Sequence, residues 1–399
     1  MLQIRPETGK KQRLRPKRPQ FFCGAAGEER NMLKKCLEFA KTEVVLCAAA
    51  VLAVVSAFLV PPDGEYLGYI DWDTLALLFS LMAVMTGFQR LGLFDYLGTR
   101  FLKYIGTSRQ LLILLVLLPF VFSMVITNDV ALITFVPFGM VVLQMAGQQR
   151  LVVPLVVLQT AAANLGSMLT PMGNPQNLYL YNQSGLGALD FVQLMLPYAA
   201  ASGLCLLVLA ALCPSQHISR VAVPAEIRGL RGLLCCCAGF GLCLLCIAKV
   251  LPALAVAAVT AVFLLVFNRK LLAAVDYSLL GTFVAFFVFI GNMGRMESFR
   301  AMLGSVLEGH EVITAVAASQ VISNVPAALL LSGFTHQWEA LIIGCNLGGL
   351  GTLIASMASL ISYKQIAKRY PEKKGVYFFW FTLCNVGLLA ALLGLWTIL

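Results

Sequence analysis

Phe122-Ser-Met-Val-Ile-Thr-Asn-Asp-Val-Ala-Leu-Ile-Thr-Phe-Val-Pro137 is an apolar run broken at its middle by Thr127, Asn128 and Asp129. Asn and Asp sit poorly inside helices and well at helix starts, because their short side chains bond nearby backbone N–H groups. The stretch therefore reads as a helix, a break at Thr127-Asn128-Asp129, and a second helix. The pattern returns, altered, as Ser323-Asn324-Val325-Pro326, with Pro326 where the first turn of a following helix accepts it. Two more elements repeat in the same order. Ile70-Asp71-Trp72, heading a hydrophobic stretch, returns as Val275-Asp276-Tyr277, and Asn164-Leu165-Gly166 up to Thr170 returns as Asn346-Leu347-Gly348 up to Thr352. Three matches in one order mark a duplicated module.

Composition sets the solvent. Of 399 residues, 59% are hydrophobic and 12% charged, against about 25% charged in a soluble domain. The mean hydropathy is +0.85. Apolar stretches of spanning length begin near Val44, Trp72, Leu151, Phe191, Leu233, Leu251, Ser278, Ala340 and Val376. An all-α polytopic membrane protein is expected. Most of the 12 cysteines, such as Cys235, Cys236, Cys237, Cys243 and Cys246, lie inside apolar runs and read as small hydrophobes. His217, His310 and His336 are scattered at loops or element ends. No Walker motif, Gly-rich dinucleotide loop, His/Cys metal set or nucleophile–base pair is visible, which speaks against a pump, a redox protein or a membrane enzyme. No catalytic residue, resident metal or cofactor is expected.

Charge orients the chain. Residues 1–41 hold 11 Lys/Arg against 4 Asp/Glu, seven of the net ten positive charges. This head lacks an apolar segment and reads as a basic cytoplasmic tail rather than a secretory signal or a nucleic-acid arm. Spans follow at about 42–60, 72–90, 191–213, 232–250, 252–268, 277–294 and 375–398, with longer interrupted ones at about 151–182 and 337–362. The region 110–149 is a re-entrant hairpin or two short spans, and 311–336 is a second hairpin candidate. The segments after Arg90 and after Arg295 read as loops. Basic loops then fall inside, while Asp63, Glu65, Asp71, Asp73 and Asp190 fall outside. Asp71 starts its copy at the outer face and Asp276 at the inner one, so the copies form an inverted repeat. The layout is a tail (1–41), a first repeat (42–213), a cytoplasmic linker (214–231) and a second, inverted repeat (232–399). The expected location is the plasma membrane, with the N-terminus cytoplasmic and the C-terminus outside.

The intramembrane polar residues carry the function. A break at each tip would offer free N–H groups and a positive dipole end to an anion. Its carbonyls and the Asn oxygen would suit a hard cation such as Na+. The other reading is polar glue between packed helices. Asn164-Leu-Gly-Ser-Met-Leu-Thr-Pro-Met-Gly-Asn-Pro-Gln-Asn177 cannot continue a regular helix. Such backbone is tolerated at membrane depth only where it is buried or lines a cavity. Its counterpart runs from Asn346 to Ser359, where the alternative is a kinked packing helix with Gly348, Gly349 and Gly351 permitting close approach. Asp129 is the one acidic side chain well inside an apolar run, which suggests a Na+ ligand or a proton carrier. The alternative is a helix N-cap.

On Ile126-Thr-Asn-Asp-Val-Ala-Leu132, Thr170-Pro-Met-Gly-Asn-Pro-Gln-Asn177 and Ser323-Asn-Val-Pro-Ala-Ala-Leu329 the chain resembles the ion transporter superfamily over about residues 42–399. The likeness is to its citrate-transporter-like and divalent-anion permeases. Arsenite efflux permeases and NhaD-type sodium/proton antiporters are relatives. The resemblance implies a homodimeric elevator transporter with two opposed re-entrant helical hairpins and two broken transmembrane helices. It implies substrate binding by Thr127, Asn128, Ser323, Asn324, Thr170, Asn174, Thr352 and Ser356. Cation binding or coupling (Na+ or H+) falls to Asn128, Asp129, Gly173, Asn324 and Gly351. Asp129 and Val325 depart from the Ser-Asn-Thr tip of the dicarboxylate branch. The expected activity is cation-coupled secondary active transport of a small anion, a di- or tricarboxylate. The alternative is arsenite/antimonite efflux or sodium/proton antiport. The partners implied are the substrate, the bilayer and a second copy, without nucleic acid.

Overall fold

The computed structural model describes residues 43–102, 105–218 and 226–399. The basic tail and part of the linker lie outside the described residues. Among the described residues every regular element is helical, apart from one isolated bridge between Thr107 and His217. Seven helical segments are long and apolar enough to cross a membrane, and further apolar helices are shorter. The protein is an all-α polytopic membrane protein.

In chain order, α1 (Val44–Leu59) leads through a 3-10 turn at Gly64–Tyr69 to α2 (Trp72–Arg90) and α3 (Leu93–Leu102). Next come α4 (Ser108–Phe122), α5 (Asn128–Met145), α6 (Val152–Ser167), α7 (Pro175–Ser184) and α8 (Ala188–Ala211). The remainder is α9 (Leu230–Ile247), α10 (Ala253–Phe267), the short α11 (Arg269–Leu272), α12 (Tyr277–Gly294), α13 (Glu297–Leu307), α14 (Glu311–Ile322), α15 (Asn324–Ser332), α16 (Trp338–Leu347), α17 (Met357–Arg369) and α18 (Lys374–Trp396).

The repeated Asp residues are helix caps. Asp71 Oδ1 accepts the Thr74 backbone N–H at 2.9 Å, and Asp276 Oδ1 accepts that of Leu279 at 3.0 Å. Each satisfies an orphan donor at the start of a long apolar helix. The two helices run antiparallel. Arg90, ending α2, donates to the Lys270 carbonyl ahead of α12, and Arg295, ending α12, meets Asp63 and Tyr69 ahead of α2. A buried bond from Asn292 to Ser56 at 2.9 Å ties α12 to α1.

α3 and α13 replace the loops expected after Arg90 and Arg295. α3 buries Phe94, Gly98 and Leu102, residues four apart that share one face. α6 is the centre of its neighbourhood: all of it except Pro154 is buried, against α4, α5, α8, α17 and α18. The expected span 151–182 is interrupted between α6 and α7, and the span 337–362 between α16 and α17. α14 and α15, of 12 and 9 residues, are each too short for a hydrocarbon core of about 30 Å at about 1.5 Å per residue.

Candidate substrate and ion site

Four connections recur at matched positions of the two copies. The Asn128 N–H, opening α5, donates to the Gly173 carbonyl at 3.1 Å; the Asn324 N–H, opening α15, donates to the Ala355 carbonyl at 2.9 Å. Gly173 and Ala355 each lie three residues past the repeated Thr. Those threonines point the other way, Thr170 Oγ1 donating to the Met124 carbonyl and Thr352 Oγ1 to the Gln320 carbonyl. Gly166 and Gly348 let the hairpin helices approach: a Cβ on Gly166 would strike the Phe120 carbonyl and Ser123, and one on Gly348 would lie 2.5 Å from Ser319 Oγ. Finally, each broken helix reaches across to the other. Asn164 Nδ2 donates to Ser359 Oγ at 3.3 Å, and Asn346 Nδ2 to Asn177 Oδ1 at 2.7 Å.

The structure therefore gathers Asn128, Asn174, Ser356 and Ser323–Asn324 around the breaks, all of them buried. Thr127 and Thr170 are half-buried and Thr352 is exposed. The two repeated threonines latch the hairpins through their hydroxyl protons. The break at the first tip falls at residues 123–127, so Asn128 and Asp129 are already inside the first turn of α5. Thr127 is the N-cap and makes no side-chain capping bond. The capping reading of Asp129 therefore falls. Its N–H is held by Asn128 Oδ1 at 2.9 Å, and the half-buried carboxylate has no hydrogen-bonding or ionic partner among the described residues. At the second tip Ser323 sits at φ +74 and ψ 153, a region L-residues rarely adopt, which costs on the order of 1–3 kcal/mol. Gly351, at φ +104, leaves room for Gln320.

Several polar residues of this centre were not singled out in the sequence. Gln320 Nε2 donates to the Gly348 and Leu350 carbonyls at 3.0 and 2.9 Å, and its Oε1 accepts the Thr352 N–H at 2.9 Å. Asn164 accepts from Asn128 Nδ2 at 3.1 Å and from Ser356 Oγ at 3.0 Å. Three buried atoms have no protein partner: Asn174 Oδ1, Gln176 Nε2 and Asn346 Oδ1. The signal for Asn164, Asn177 and Asn346 was present, since they bound the motif already quoted. For Gln320 there was none, because its counterpart is Met124. Buried amides, helix N-termini and interrupted backbone can bind an anion and a hard cation side by side. Among the described residues no group of three His, Cys, Asp or Glu could hold a metal ion.

An all-helical membrane bundle with two broken helices meeting at buried amides defines a membrane transporter rather than a soluble binding protein. The chain belongs to the citrate transporter family, whose model matches residues 36–336. It is 32% identical over 307 residues to Inner membrane protein YbiR of Escherichia coli, covering 75% of this chain and 81% of that one. It is 31% identical over 306 residues to an uncharacterized transporter of Methanocaldococcus jannaschii, covering 75% and 82%. A shorter match, 29% identical over 178 residues, is to the silicon efflux transporter LSI3 of Oryza sativa, covering 44% and 35%.

Proposed function

We propose that the chain is a secondary active transporter of a small anion, a di- or tricarboxylate, coupled to Na+ or H+ and working by elevator-type alternating access. It does no chemistry on its cargo. The observation that carries this reading is the paired tip: Asn128 and Asn324 each open a helix whose first N–H is bound to the break of a discontinuous helix. Helix N-termini favour anions, and the adjacent carbonyl and amide oxygens favour a cation. The antiparallel α2 and α12, with the short α14 and α15, support inverted copies with re-entrant hairpins. In this reading the protein is a homodimer in the plasma membrane, with its N-terminus cytoplasmic and its C-terminus outside.

Asp129 favours a second reading. A carboxylate next to a bound anion repels it unless a proton or cation intervenes. Arsenite/antimonite efflux or sodium/proton antiport would use that carboxylate directly, and a relative named for silicon efflux is in keeping with an export reading. Proteoliposome flux of labelled citrate, succinate and arsenite, with Na+ and pH gradients imposed separately, tests both. Gradient-driven carboxylate uptake supports the first reading. Arsenite flux, or Na+-driven proton movement without carboxylate uptake, replaces it with the second.

A further inference from the structure

α6 carries Asn164 near its C-terminal end. Around its first two turns it packs with α8 and α18, and the three leave a cavity of about 1100 Å³. Small-molecule pockets measure about 300–1,000 Å³, so this one is large. Its walls are apolar: Val157 and Leu158 from α6, Leu204 and Val208 from α8, Leu383 and Leu388 from α18. Leu204, Val208 and Leu383 are exposed, so the cavity opens to the outside of the bundle. From Val376 to Ala391 the lining follows α18 for about 22 Å. That exceeds one leaflet of a hydrocarbon core about 30 Å thick.

Charge gathers at one end only. Arg150 stands just ahead of α6 and Lys373 just ahead of α18, and both line the cavity. Gln148 Nε2 donates to Gln216 Oε1 at 3.4 Å and Lys373 Nζ to the Gln149 carbonyl at 3.2 Å, so the starts of α6 and α18 meet the end of α8 there. Neither cation has an ionic partner among the described residues, and no described Asp or Glu lines the cavity. Neither helix start has a side-chain cap, so its first N–H groups add to the positive end. Any lipid tail would wet an apolar groove. The two cations at its mouth select the headgroup. We propose that this cavity binds an anionic phospholipid, its phosphate held by Arg150 and Lys373 and its acyl chains laid along α8 and α18. A guanidinium grips phosphate oxygens in pairs, and an ammonium adds a point charge. A zwitterionic headgroup brings its own cation to the same end and is disfavoured. In the orientation proposed above, this end lies in the cytoplasmic leaflet, where basic pockets between helices meet anionic lipid.

This inference stands whatever the cargo is. The test is thermal stability of the full-length protein in detergent, titrated with dioleoyl phosphatidylglycerol or with dioleoyl phosphatidylcholine, which has the same chains. The wild type should show a saturable rise in Tm that is selective for phosphatidylglycerol. Arg150→Gln combined with Lys373→Gln should raise the midpoint of that titration by roughly ten-fold or more. Arg300→Gln, which removes a cation on α13 outside the cavity, should leave the midpoint within about two-fold. Gly387 lines the cavity, and a Cβ there would have nothing within 4 Å. Gly387→Leu therefore puts a side chain where an acyl chain lies, in a helix that favours Leu over Gly. It should raise the midpoint by roughly ten-fold without lowering the Tm in detergent alone. If the double variant does not fold, Gly387→Leu decides. Inorganic phosphate should give no rise; a rise that it reproduces makes the mouth a soluble-anion site and overturns the lipid. No rise with either lipid, equal rises with both, or a phosphatidylglycerol midpoint that these cavity variants leave unchanged overturns the proposal as well.

Discussion

The two tip regions carry the same backbone design with opposite side-chain economy. In the first, the tip is pinned: the Asn128 side chain bonds Asn164, and from the break only the Thr170 side chain reaches back to the hairpin among the described residues. In the second, the break is pinned: Gln320 grips three backbone groups between Gly348 and Thr352, while the Asn324 side chain is unbonded and Ser323 is strained. The two regions share their backbone connections and differ in their side-chain partners. The Asn of one tip is held by a neighbouring amide, and that of the other makes no side-chain hydrogen bond among the described residues.

The sharpest way to break this comparison is at the glycines that set the frame. In Gly166→Ala the new methyl meets the Phe120 backbone carbonyl, which cannot move without α4 moving. In Gly348→Ala it meets Ser319 Oγ, which can change rotamer, and also Ser319 Cβ at 2.7 Å and the Gly344 carbonyl at 2.9 Å, which must shift by less than the Phe120 carbonyl would. Overpacking of this kind costs about 1–3 kcal/mol and more when backbone is struck. Gly166→Ala should therefore abolish monodisperse folded protein in size-exclusion chromatography, whereas Gly348→Ala should lower yield and Tm but remain isolable. Equal behaviour would show that the frames are not packed differently.

Next in size is the contrast between the tip asparagines. Asn128→Ala removes one of the two donors to the buried Asn164 oxygen and the acceptor of the Asp129 N–H, and should cost about 1–2 kcal/mol of stability. Asn324→Ala breaks no protein hydrogen bond and should cost less than about 0.5 kcal/mol. Both should lose transport. A stable Asn128→Ala protein together with an unstable Asn324→Ala one, judged by Tm, would invert the assignment of pinned and open tips.

Much of this arrangement was legible before any coordinates. The order of the three repeated motifs located both tips and both breaks, because residues that cannot continue a helix in an apolar run leave a strong local signal. Asp71 and Asp276 were legible as the heads of hydrophobic stretches, and the caps they form explain why an acidic residue stands at each helix start. Other features were not legible. Gln320 is an ordinary mid-helix residue whose role exists only because α14 packs beside the second break. The asymmetry between Asn164 and Asn346 was hidden because both are Asn in the same motif, and only their partners differ. The capping role considered for Asp129 failed because the chain turns two residues earlier than its Asn-Asp pair suggested.

Asp129 tests the first tip at finer grain. With no cap to lose and no ion pair to break, Asp129→Asn should leave Tm within about 1 kcal/mol of wild type. Its effect should fall on coupling. Flux in proteoliposomes should change its dependence on the Na+ or pH gradient, and unaltered dependence on both would remove Asp129 from the coupling machinery. The strain at the second tip predicts a smaller change of opposite sign. Ser323→Gly relieves φ +74 and should raise Tm by the equivalent of about 1 kcal/mol after the entropy glycine loses on folding. A lower Tm would mean that the Ser323 hydroxyl, 3.4 Å from the Ala355 carbonyl, matters more than the backbone it distorts.

The smallest expected effect lies where the antiparallel helices meet water, and it bears on the frame rather than on the tips. Arg295 Nη1 is 2.7 Å from Asp63 Oδ2 and 3.1 Å from the Tyr69 hydroxyl, joining the end of α12 to the turn before α2. The bond from Arg295 holds the Asp63 carboxyl below its usual pKa, helped by the Glu65 N–H. A group whose folded pKa is depressed contributes stability above its unfolded value, about 3.9, and loses it as pH falls through the lower folded value. Arg295→Gln should therefore lower Tm slightly and evenly from pH 8 to pH 5. The difference from wild type should begin to shrink below about pH 4 and close once pH has fallen past the depressed wild-type value, where Asp63 carries its proton in both proteins. Because the pair is exposed and screened by salt, the shift should be the least of those predicted here and should shrink further in high salt. A difference that persists at low pH would mean that Arg295 holds α12 to the turn through Tyr69 and packing, with the ion pair contributing nothing.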